Sequence, residues 1–205
     1  LKDNGSVVTW GNGGDGGDSS SVADDLSSGV VKIFSTAHAF AALKSDGSVI
    51  TWGSSFHGGD APGDIARIYD VSDLLDSGVV DIAANSSGAA FAALKDDGSV
   101  VAWGDESKGG RCISVSGLDS GVDKIYSSFG AFAALKTDGS VVSWGDNDYG
   151  GDSNDVSSIL SSEGGVKKIY SNGVSFAALK YDGSVVAWGD SDYGGSISNV
   201  VSYLS

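Results

Sequence analysis

The side chains best suited to chemistry are carboxylates in loops that combine aspartate with glycine. They occur in the run Gly-Gly-Asp-Gly-Gly-Asp and in later Asp-x-Asp and Gly-Asp pairs, and they are Asp15, Asp18, Asp146, Asp148, Asp152, Asp190 and Asp192. Calcium takes about six to eight oxygen ligands, which loops of this composition can supply. Asp and Gly also favour tight turns without any metal. The sequence therefore leaves two roles open for these carboxylates, calcium binding and turn formation.

No combination of residues in the chain indicates an enzyme. The two histidines, His38 and His57, stand apart from any recognisable nucleophile motif. Cys112 follows Arg111 with no motif around it, which favours a free or partly buried thiol over a nucleophile. The metalloprotease, nucleophile-elbow and phosphate-loop patterns are all missing from the sequence. We therefore expect a non-catalytic protein whose only cofactor would be calcium.

The elements that position these loops come from an internal repeat. Five segments share the pattern Leu-Lys-x-Asp/Asn-Gly-Ser-Val and end in Trp-Gly. Their tryptophans, at spacings of 42, 51, 41 and 44 residues, are Trp10, Trp52, Trp103, Trp144 and Trp188. A period of about 40 residues is typical of propeller blades or helical repeats. Because each tryptophan has a fixed place in its unit, we expect all five to form a repeated structural core.

Each unit predicts a set of short antiparallel strands. A β-branched run such as Val30–Phe34 precedes a small-residue run such as Phe40–Leu43, and the turn Asp46-Gly47 then predicts a hairpin to a third strand. A later polar segment, Val71–Leu75 in the same unit, fits either an outer strand or a helical turn. The lysine before each turn, such as Lys44, is expected on the surface beside its turn aspartate, where it would contribute little.

These patterns predict an all-β fold, a β-propeller-like ring of about five antiparallel blades of 41–51 residues. Residues 1–205 would form one repeat domain with units at 1–29, 30–78, 79–121, 122–165 and 166–205. The third strand occurs five times but the first two strands only four times. Because a ring normally removes open strand edges, we expect neighbouring sequence or another chain to supply the missing strands.

The run Phe34–Gly53 resembles the repeat of the regulator of chromosome condensation family. That repeat carries a small-residue turn, often a histidine, an Ala-Leu strand, an Asp-Gly turn and a Trp-Gly, and His38 stands where that histidine would be. The resemblance recurs five times along the chain and implies a β-propeller. It differs in its shorter, acidic units and in Gly-Gly-Asp loops where the family usually has Gly-Gln-Leu-Gly. It implies nucleotide exchange on a small GTPase, or chromatin docking, as possible activities.

Charge narrows the classes of partner. A formal net charge of −15 opposes binding to nucleic acid and to anionic membranes, and no apolar run is long enough to insert into a membrane. We expect a structural, adhesive or protein-interaction module of a longer secreted or cell-surface protein. Because the given chain lacks Met, we expect it to be a processed product or an excerpt. Strand donation would make it a homo-oligomer or fibre. A calcium- or glycan-binding propeller and a small-GTPase regulator are the alternatives, and the insertion at Asp60–Tyr69 is a candidate partner contact.

Overall fold

The computed structural model describes residues 1–59, 71–85 and 89–196, which contain four antiparallel sheets of three strands. In each sheet the middle strand of the sequence is also the central strand. The sheets are β1 (Val30–Ser35), β2 (Ala39–Lys44) and β3 (Val49–Gly53); β4 (Val79–Ala84), β5 (Ala90–Lys95) and β6 (Val100–Gly104); β7 (Val122–Ser127), β8 (Ala131–Lys136) and β9 (Val141–Gly145); and β10 (Val166–Ser171), β11 (Ser175–Lys180) and β12 (Val185–Gly189).

An Asp-Gly turn joins the second and third strands of every sheet. In the first sheet Gly47 adopts φ 82°, a left-handed conformation that glycine tolerates without strain. The Asp46 carboxylate accepts hydrogen bonds from the Ser48 amide at 3.0 Å and from the Ser48 hydroxyl at 2.7 Å. These bonds fix the register in which Leu43 lies opposite Val49. The local sequence therefore sets the hairpin without help from other units.

Neighbouring sheets pack through opposite faces of their central strands. Ala92 and Leu94 of β5 belong to the same buried cluster as Phe132 and Ala134 of β8, in the following sheet. The same Ala-x-Leu and Phe-x-Ala positions meet at the other two contacts between sheets. Small alanine side chains let the sheets approach closely, and both faces of each central strand are thereby covered. This explains why the central strands read as continuous apolar runs.

A buried tryptophan connects each sheet to the loop that precedes it. Trp103 stacks on Phe91 of its own sheet with ring centroids 5.2 Å apart, and its indole N–H donates to the Gly58 carbonyl at 3.1 Å. Trp52, Trp144 and Trp188 make the equivalent contacts. These four side chains are only 3–4% exposed. At these four positions the tryptophan is a buried part of the core.

Trp10 corrects the prediction of a repeated tryptophan core for the first unit, because its side chain is 83% exposed. Residues 1–29 form no strand, although they hold the loop and the apolar side chains Val22 and Leu26 that cover the first sheet. The central strand that would carry a phenylalanine against Trp10 is missing from this unit. Its position in the repeat therefore does not bury Trp10.

The outer segments are helical turns or irregular turns. The described residues contain α1 (Ser72–Leu75) and α2 (Ser157–Leu160), each a single turn, and a short 3₁₀ turn at Ser20–Val22. In the first four units one leucine turns inward to an exposure of 2–3%, and these are Leu26, Leu75, Leu118 and Leu160. The segments therefore close the outer side of the sheets without adding a strand.

The lysines before the Asp-Gly turns do more than the sequence predicts. Lys95 donates to the Leu74 carbonyl at 2.7 Å, and Lys136 donates to the Gly117 carbonyl at 2.9 Å. Lys180 is 2% exposed and donates to the Ile159 and Ser162 carbonyls. These ammonium groups tie the outer segments to the sheets, and Lys180 is buried where the sequence predicts a surface side chain.

The all-β repeat fold predicted from the sequence is confirmed. The described residues form four sheets, and the predicted unit 1–29 contains no sheet. The segment Asp60–Tyr69, named above as a candidate partner contact, lies outside the described residues. Among the helices that the structure describes, none has the length and apolar character needed to cross a membrane.

Candidate interaction surface

Antiparallel strands place two different kinds of connection at opposite ends of each sheet. We call the end that carries the Asp-Gly turns the turn end. The other end, here called the loop end, carries the turns between first and second strands together with the glycine-rich loops that follow each Trp-Gly. Every aspartate predicted to bind calcium lies in these loops or directly after them. The loop end is therefore where the predicted site residues can be compared.

Each glycine-rich loop is a short 3₁₀ turn built by its own residues. In the third sheet the Asp146 carboxylate accepts from the Asp148 amide at 3.0 Å, which caps the turn Asn147–Tyr149. Gly150 then ends the turn at φ 89°. A Cβ on the next residue, Gly151, would lie 2.4 Å from the backbone of Gly145, so only glycine fits there. The glycine content thus serves a compact loop rather than a flexible one.

The seven predicted calcium ligands are divided among separate loops. Asp146 and Asp190 cap 3₁₀ turns, and Asp148 and Asp192 lie in the first turns of those helices. Asp18 and Asp152 each accept from a backbone amide two residues later, at 2.9 and 2.8 Å. Asp15 instead contacts His38. Within the described part of the chain, no three acidic, histidine or cysteine side chains gather closely enough to hold a metal ion.

Both histidines of the chain meet at the loop end. The Asp15 carboxylate lies 2.9 Å from Nδ1 of His38, and the ring centroids of His38 and His57 are 4.4 Å apart. Nδ1 of His57 lies 2.7 Å from the Ser54 hydroxyl, the residue that precedes the 3₁₀ turn. Ser54 occupies the capping position that Asp146 has in the third sheet. The contact joins residues from two loops and one strand connection, so the sequence spacing alone gave no indication of it.

A second contact between neighbouring loops involves a cation. Lys108 forms an ion pair with Asp146 of the next loop, and its ammonium lies 4.9 Å from the centroid of the Tyr149 ring. The hydrogen bond to Asp146 raises the pKa of the Lys108 ammonium. The neighbouring loop connections at Phe129 and Gly173 also touch, through a backbone hydrogen bond of 2.8 Å. Contacts of this kind thus join the first loop to the second and the third loop to the fourth.

Several large apolar side chains on this surface are open to solvent. Phe56 is 75% exposed, Phe129 is 41% exposed and Tyr193 is 66% exposed. Their neighbours are mostly acidic: Asp105, Glu106, Asp146, Asp148, Asp190 and Asp192 lie in the same set of loops. Exposed aromatic side chains surrounded by polar groups are typical of protein interaction sites. Sequence reasoning missed them because their repeat positions hold different residue types in other units.

The single cysteine is unsuited to nucleophilic chemistry. Cys112 is 8% exposed, and its thiol donates to the Val100 carbonyl at 3.5 Å. Burial raises the pKa of this thiol to about 11. Because the thiolate is the reactive form, the thiol is inert near neutral pH. The sequence-based expectation of a free, partly buried thiol agrees with this environment.

Comparisons with known proteins agree with this geometry. The model of the Regulator of chromosome condensation (RCC1) repeat matches residues 122–150, which span the third sheet and its loop. No curated protein matches the chain.

Solved structures supply the wider likeness. Human WBSCR16 superimposes with a TM-score of 0.54 at 20% identity, covering 78% of this chain and 47% of that one. Yeast RCC1 (Prp20), solved bound to Kap60, gives 0.52 at 17% identity, with coverage of 78% and 43%. Prp20p from Saccharomyces cerevisiae gives 0.50 at 23% identity, also with 78% and 43%. The chain spans less than half the length of each, and identities this low establish the fold alone.

The resemblance noted in the sequence is therefore confirmed by an independent match and by the fold. Residues 122–150 match the repeat of the regulator of chromosome condensation family, and the described chain has a β-propeller-like fold similar to that of the yeast protein.

Proposed function

We propose that this chain is a non-catalytic protein-interaction module that binds a partner protein through its loop end. The observation that carries the proposal is the exposure of Phe56, Phe129 and Tyr193 at that end. Aromatic anchors dominate the binding energy of many interfaces because they bury a large area at a low entropic cost. Yeast RCC1 (Prp20), which has a similar fold, was solved bound to another protein, Kap60.

The variation between units supports the same surface. The residue before the paired glycines of each loop is successively Asp15, His57, Lys108, Tyr149 and Tyr193. The glycines and the capping residues around it barely change, because the loop geometry requires them. At this position Asp15 and Tyr193 are exposed, whereas Lys108 pairs with Asp146 and Tyr149 packs against the buried cluster of the fourth sheet. Where the variation reaches exposed side chains, a repeat scaffold can provide a specific recognition surface.

Charge indicates the chemistry of the partner. The loop end carries a clear excess of carboxylates over its cations Lys108 and Arg111, and the whole chain has a net charge of −15. Complementary charge speeds association and excludes partners of like charge. We therefore propose a partner whose contact surface is basic, with an apolar patch that receives the aromatic side chains.

A photo-crosslinking experiment tests this proposal. A photoreactive amino acid is placed at Phe129 on the loop end and, as the control, at the exposed Thr137 on the turn end of the same sheet. We expect a defined protein to crosslink at position 129 and not at 137. With that protein purified, Phe129→Ser should weaken binding about tenfold, as loss of an aromatic anchor does. Equal crosslinking at both positions, or crosslinking at 137 alone, would refute it.

Regulation of a small GTPase is a narrower candidate that rests on the fold. The yeast protein Prp20p is described with binding to Gsp1p and to histones. The shared fold at 23% identity supports a related role, while no particular residue of this chain indicates a GTPase. Nucleotide exchange measured on purified GTPases decides the matter: acceleration by this chain supports the role, and unchanged exchange rates end it.

Ligand binding in the acidic loops is the second alternative from the sequence. Asp146 and Asp148 lie in one loop. Their carboxylate oxygens could bind a calcium ion, which prefers oxygen ligands, or accept hydrogen bonds from the hydroxyl groups of a glycan. A calorimetric titration with calcium should release heat that Asp146→Ala and Asp148→Ala reduce. The absence of heat in the unaltered chain would end this alternative.

Placement on a secreted or cell-surface protein, with an adhesive or structural role, remains part of the proposal. Its support is the near-identical units, the high Asp and Gly content and the single cysteine. Protease treatment of intact cells, followed by detection with an antibody against this chain, tests the placement. Loss of the signal supports it, whereas a signal that persists until the cells are lysed contradicts it.

A further inference from the structure

The repeat brings two particular positions together at the loop end of every described sheet. One lies in the turn between the first and second strands, and the other is the loop residue that precedes the paired glycines. In all four sheets a side chain from the turn donates to the backbone carbonyl of that loop residue, at 2.8–3.2 Å. The pairs are Thr36 and His57, Asn85 and Lys108, Ser128 and Tyr149, and Asn172 and Tyr193. The backbone therefore fixes which turn residues lie beside which loop residue.

In the first sheet these neighbouring positions hold both histidines of the chain. His38 lies in the turn two residues after Thr36, and His57 is the loop residue whose carbonyl accepts from Thr36. Their ring centroids are 4.4 Å apart, and the ring planes are inclined by 59°. In the third sheet the same two positions hold Gly130 and Tyr149, and a Cβ on Gly130 would lie 2.8 Å from the Tyr149 ring. The repeated backbone therefore imposes the proximity of the two imidazoles.

A carboxylate from the preceding loop orients the ring of His38. The Asp15 carboxylate lies 2.9 Å from Nδ1 of His38. An ionised carboxylate only accepts hydrogen bonds, so Nδ1 carries the proton and the lone pair of the neutral ring is on Nε2. Histidines that bind metal ions characteristically donate their other ring N–H to a carboxylate in this way. Nε2 of His38 is therefore the nitrogen suited to a ligand.

The ring of His57 is held in the same manner. Its Nδ1 lies 2.7 Å from the Ser54 hydroxyl, which can accept a hydrogen bond as well as donate one. The contact therefore persists when Nδ1 carries the proton and Nε2 the lone pair. Within the described part of the chain, Nε2 of neither histidine has a hydrogen-bond partner. Both side chains are partly exposed, so an ion from solution can reach them.

We propose that His38 and His57 bind one divalent transition-metal ion of the zinc type through their Nε2 atoms, with Asp15 and Ser54 orienting the rings. Imidazole nitrogen is a favoured ligand of zinc, nickel and copper ions, whereas calcium takes oxygen ligands. An ion about 2.0–2.1 Å from each of two imidazole nitrogens requires the rings to lie side by side. The centroid separation of 4.4 Å meets that requirement.

The remaining coordination positions of this ion belong to water. The described residues offer no third histidine, cysteine or acidic ligand that closes around the site. A bound ion ties the 3₁₀ turn Ser55–His57, which carries the exposed Phe56, to the turn between the first two strands. The inference does not depend on the partner proposed for the loop end, and it involves neither Asp146 nor Asp148.

Isothermal titration calorimetry with zinc ions alone gives the first measurement. The unaltered chain, freed of metal with a chelator, should bind one zinc ion per chain. His38→Ala and His57→Ala should each weaken this binding at least about tenfold, since each removes one of the two ligands. Asp146→Ala, which removes a carboxylate from another loop, is the matched control and should bind zinc normally. His57→Gln replaces His57→Ala if that variant does not fold, as judged by circular dichroism.

Nitrogen-15 NMR of the imidazole rings identifies the ligand atoms. Zinc should shift the Nε2 signals of both histidines, while Nδ1 of each ring keeps its proton. Asp15→Asn keeps an acceptor beside His38 but removes the charge. It should weaken zinc binding about tenfold and change the His38 ring signals, with an unchanged circular dichroism spectrum.

Three results would overturn the proposal. The first is an absence of zinc binding to the unaltered chain. The second is zinc binding that survives both His38→Ala and His57→Ala, or that Asp146→Ala removes instead, because the ion would then bind to carboxylates. The third is a zinc-induced loss of the Nδ1 proton in either ring, which would place the ion on the wrong nitrogen.

Discussion

The turn end and the loop end of each unit are built from equally short connections, yet they differ in what their side chains do. At the turn end the aspartate, glycine, serine and lysine all serve the hairpin or the junction with a neighbouring segment, as Lys180 and Asp182 show. At the loop end the backbone is just as constrained, but residues such as Phe129 and Tyr193 are exposed. The turn end therefore serves the fold alone, whereas the loop end combines buried structural residues with exposed side chains that are capable of recognition.

Two phenylalanines three residues apart give the largest expected contrast. Phe132 is 0% exposed and stacks on Trp144, whereas Phe129 is 41% exposed. Phe132→Ala should lower the free energy of unfolding by about 3–5 kcal/mol because it leaves a cavity in the core. Phe129→Ala should change it by less than about 1 kcal/mol. Denaturant unfolding of both variants checks the difference, and similar losses would break the comparison.

Two glycines compare a constrained position at the turn end with an open position at the loop end. Gly98 adopts φ 77°, and a Cβ there would lie 2.7 Å from the amide of Gly121. Gly98→Ala should therefore cost about 2–4 kcal/mol through backbone strain and steric clash. Gly14 at the loop end has its nearest contact at 3.6 Å, from Asn12. Gly14→Ala should shift the unfolding midpoint very little, and a loss as large as that of Gly98→Ala would argue against the distinction.

Two lysines extend the contrast to polar side chains. Lys180 is buried, and Lys180→Met would leave the Ile159 and Ser162 carbonyls without their donor. We expect a loss of about 1–3 kcal/mol in the free energy of unfolding. Lys108 at the loop end pairs with Asp146 and remains partly exposed. Lys108→Met should cost less than about 1 kcal/mol, as partly exposed ion pairs usually do. Thermal unfolding of the two variants measures both effects.

The smallest effect concerns the pH dependence of the turn end. The Ser140 hydroxyl and amide donate to Asp138 and hold the pKa of its carboxyl below the usual value of 3.8. The stabilisation is complete above the unfolded pKa and is lost as the pH falls through the lower folded pKa. Asp138→Asn keeps the acceptor oxygen, which Asn4 supplies in the first unit, but the side chain cannot titrate. The thermal unfolding midpoint of this variant should depend less on pH in acid than the midpoint of the unaltered chain. An unchanged pH dependence would contradict the assignment.

The sequence was a good guide to structure that depends on neighbouring residues. The Asp-Gly hairpins and the central strands follow from local turn chemistry and strand patterns, so they could be predicted. The exposure of Trp10 could not, because it depends on which strand lies beside it. The donation from Lys180 to an outer segment and the contact between His38 and His57 join residues far apart in sequence. For Asp146 the sequence leaves turn formation and calcium binding open, and it does not indicate that the carboxylate caps a 3₁₀ turn.

Hydrogen exchange of the chain, free and saturated with its crosslinked partner, tests the central claim most directly. The account predicts that added protection is confined to loop-end peptides that contain Phe56, Phe129 and Tyr193. The Asp-Gly turns should exchange as they do in the free chain. Added protection at those turns, with none at the loop end, would contradict the account.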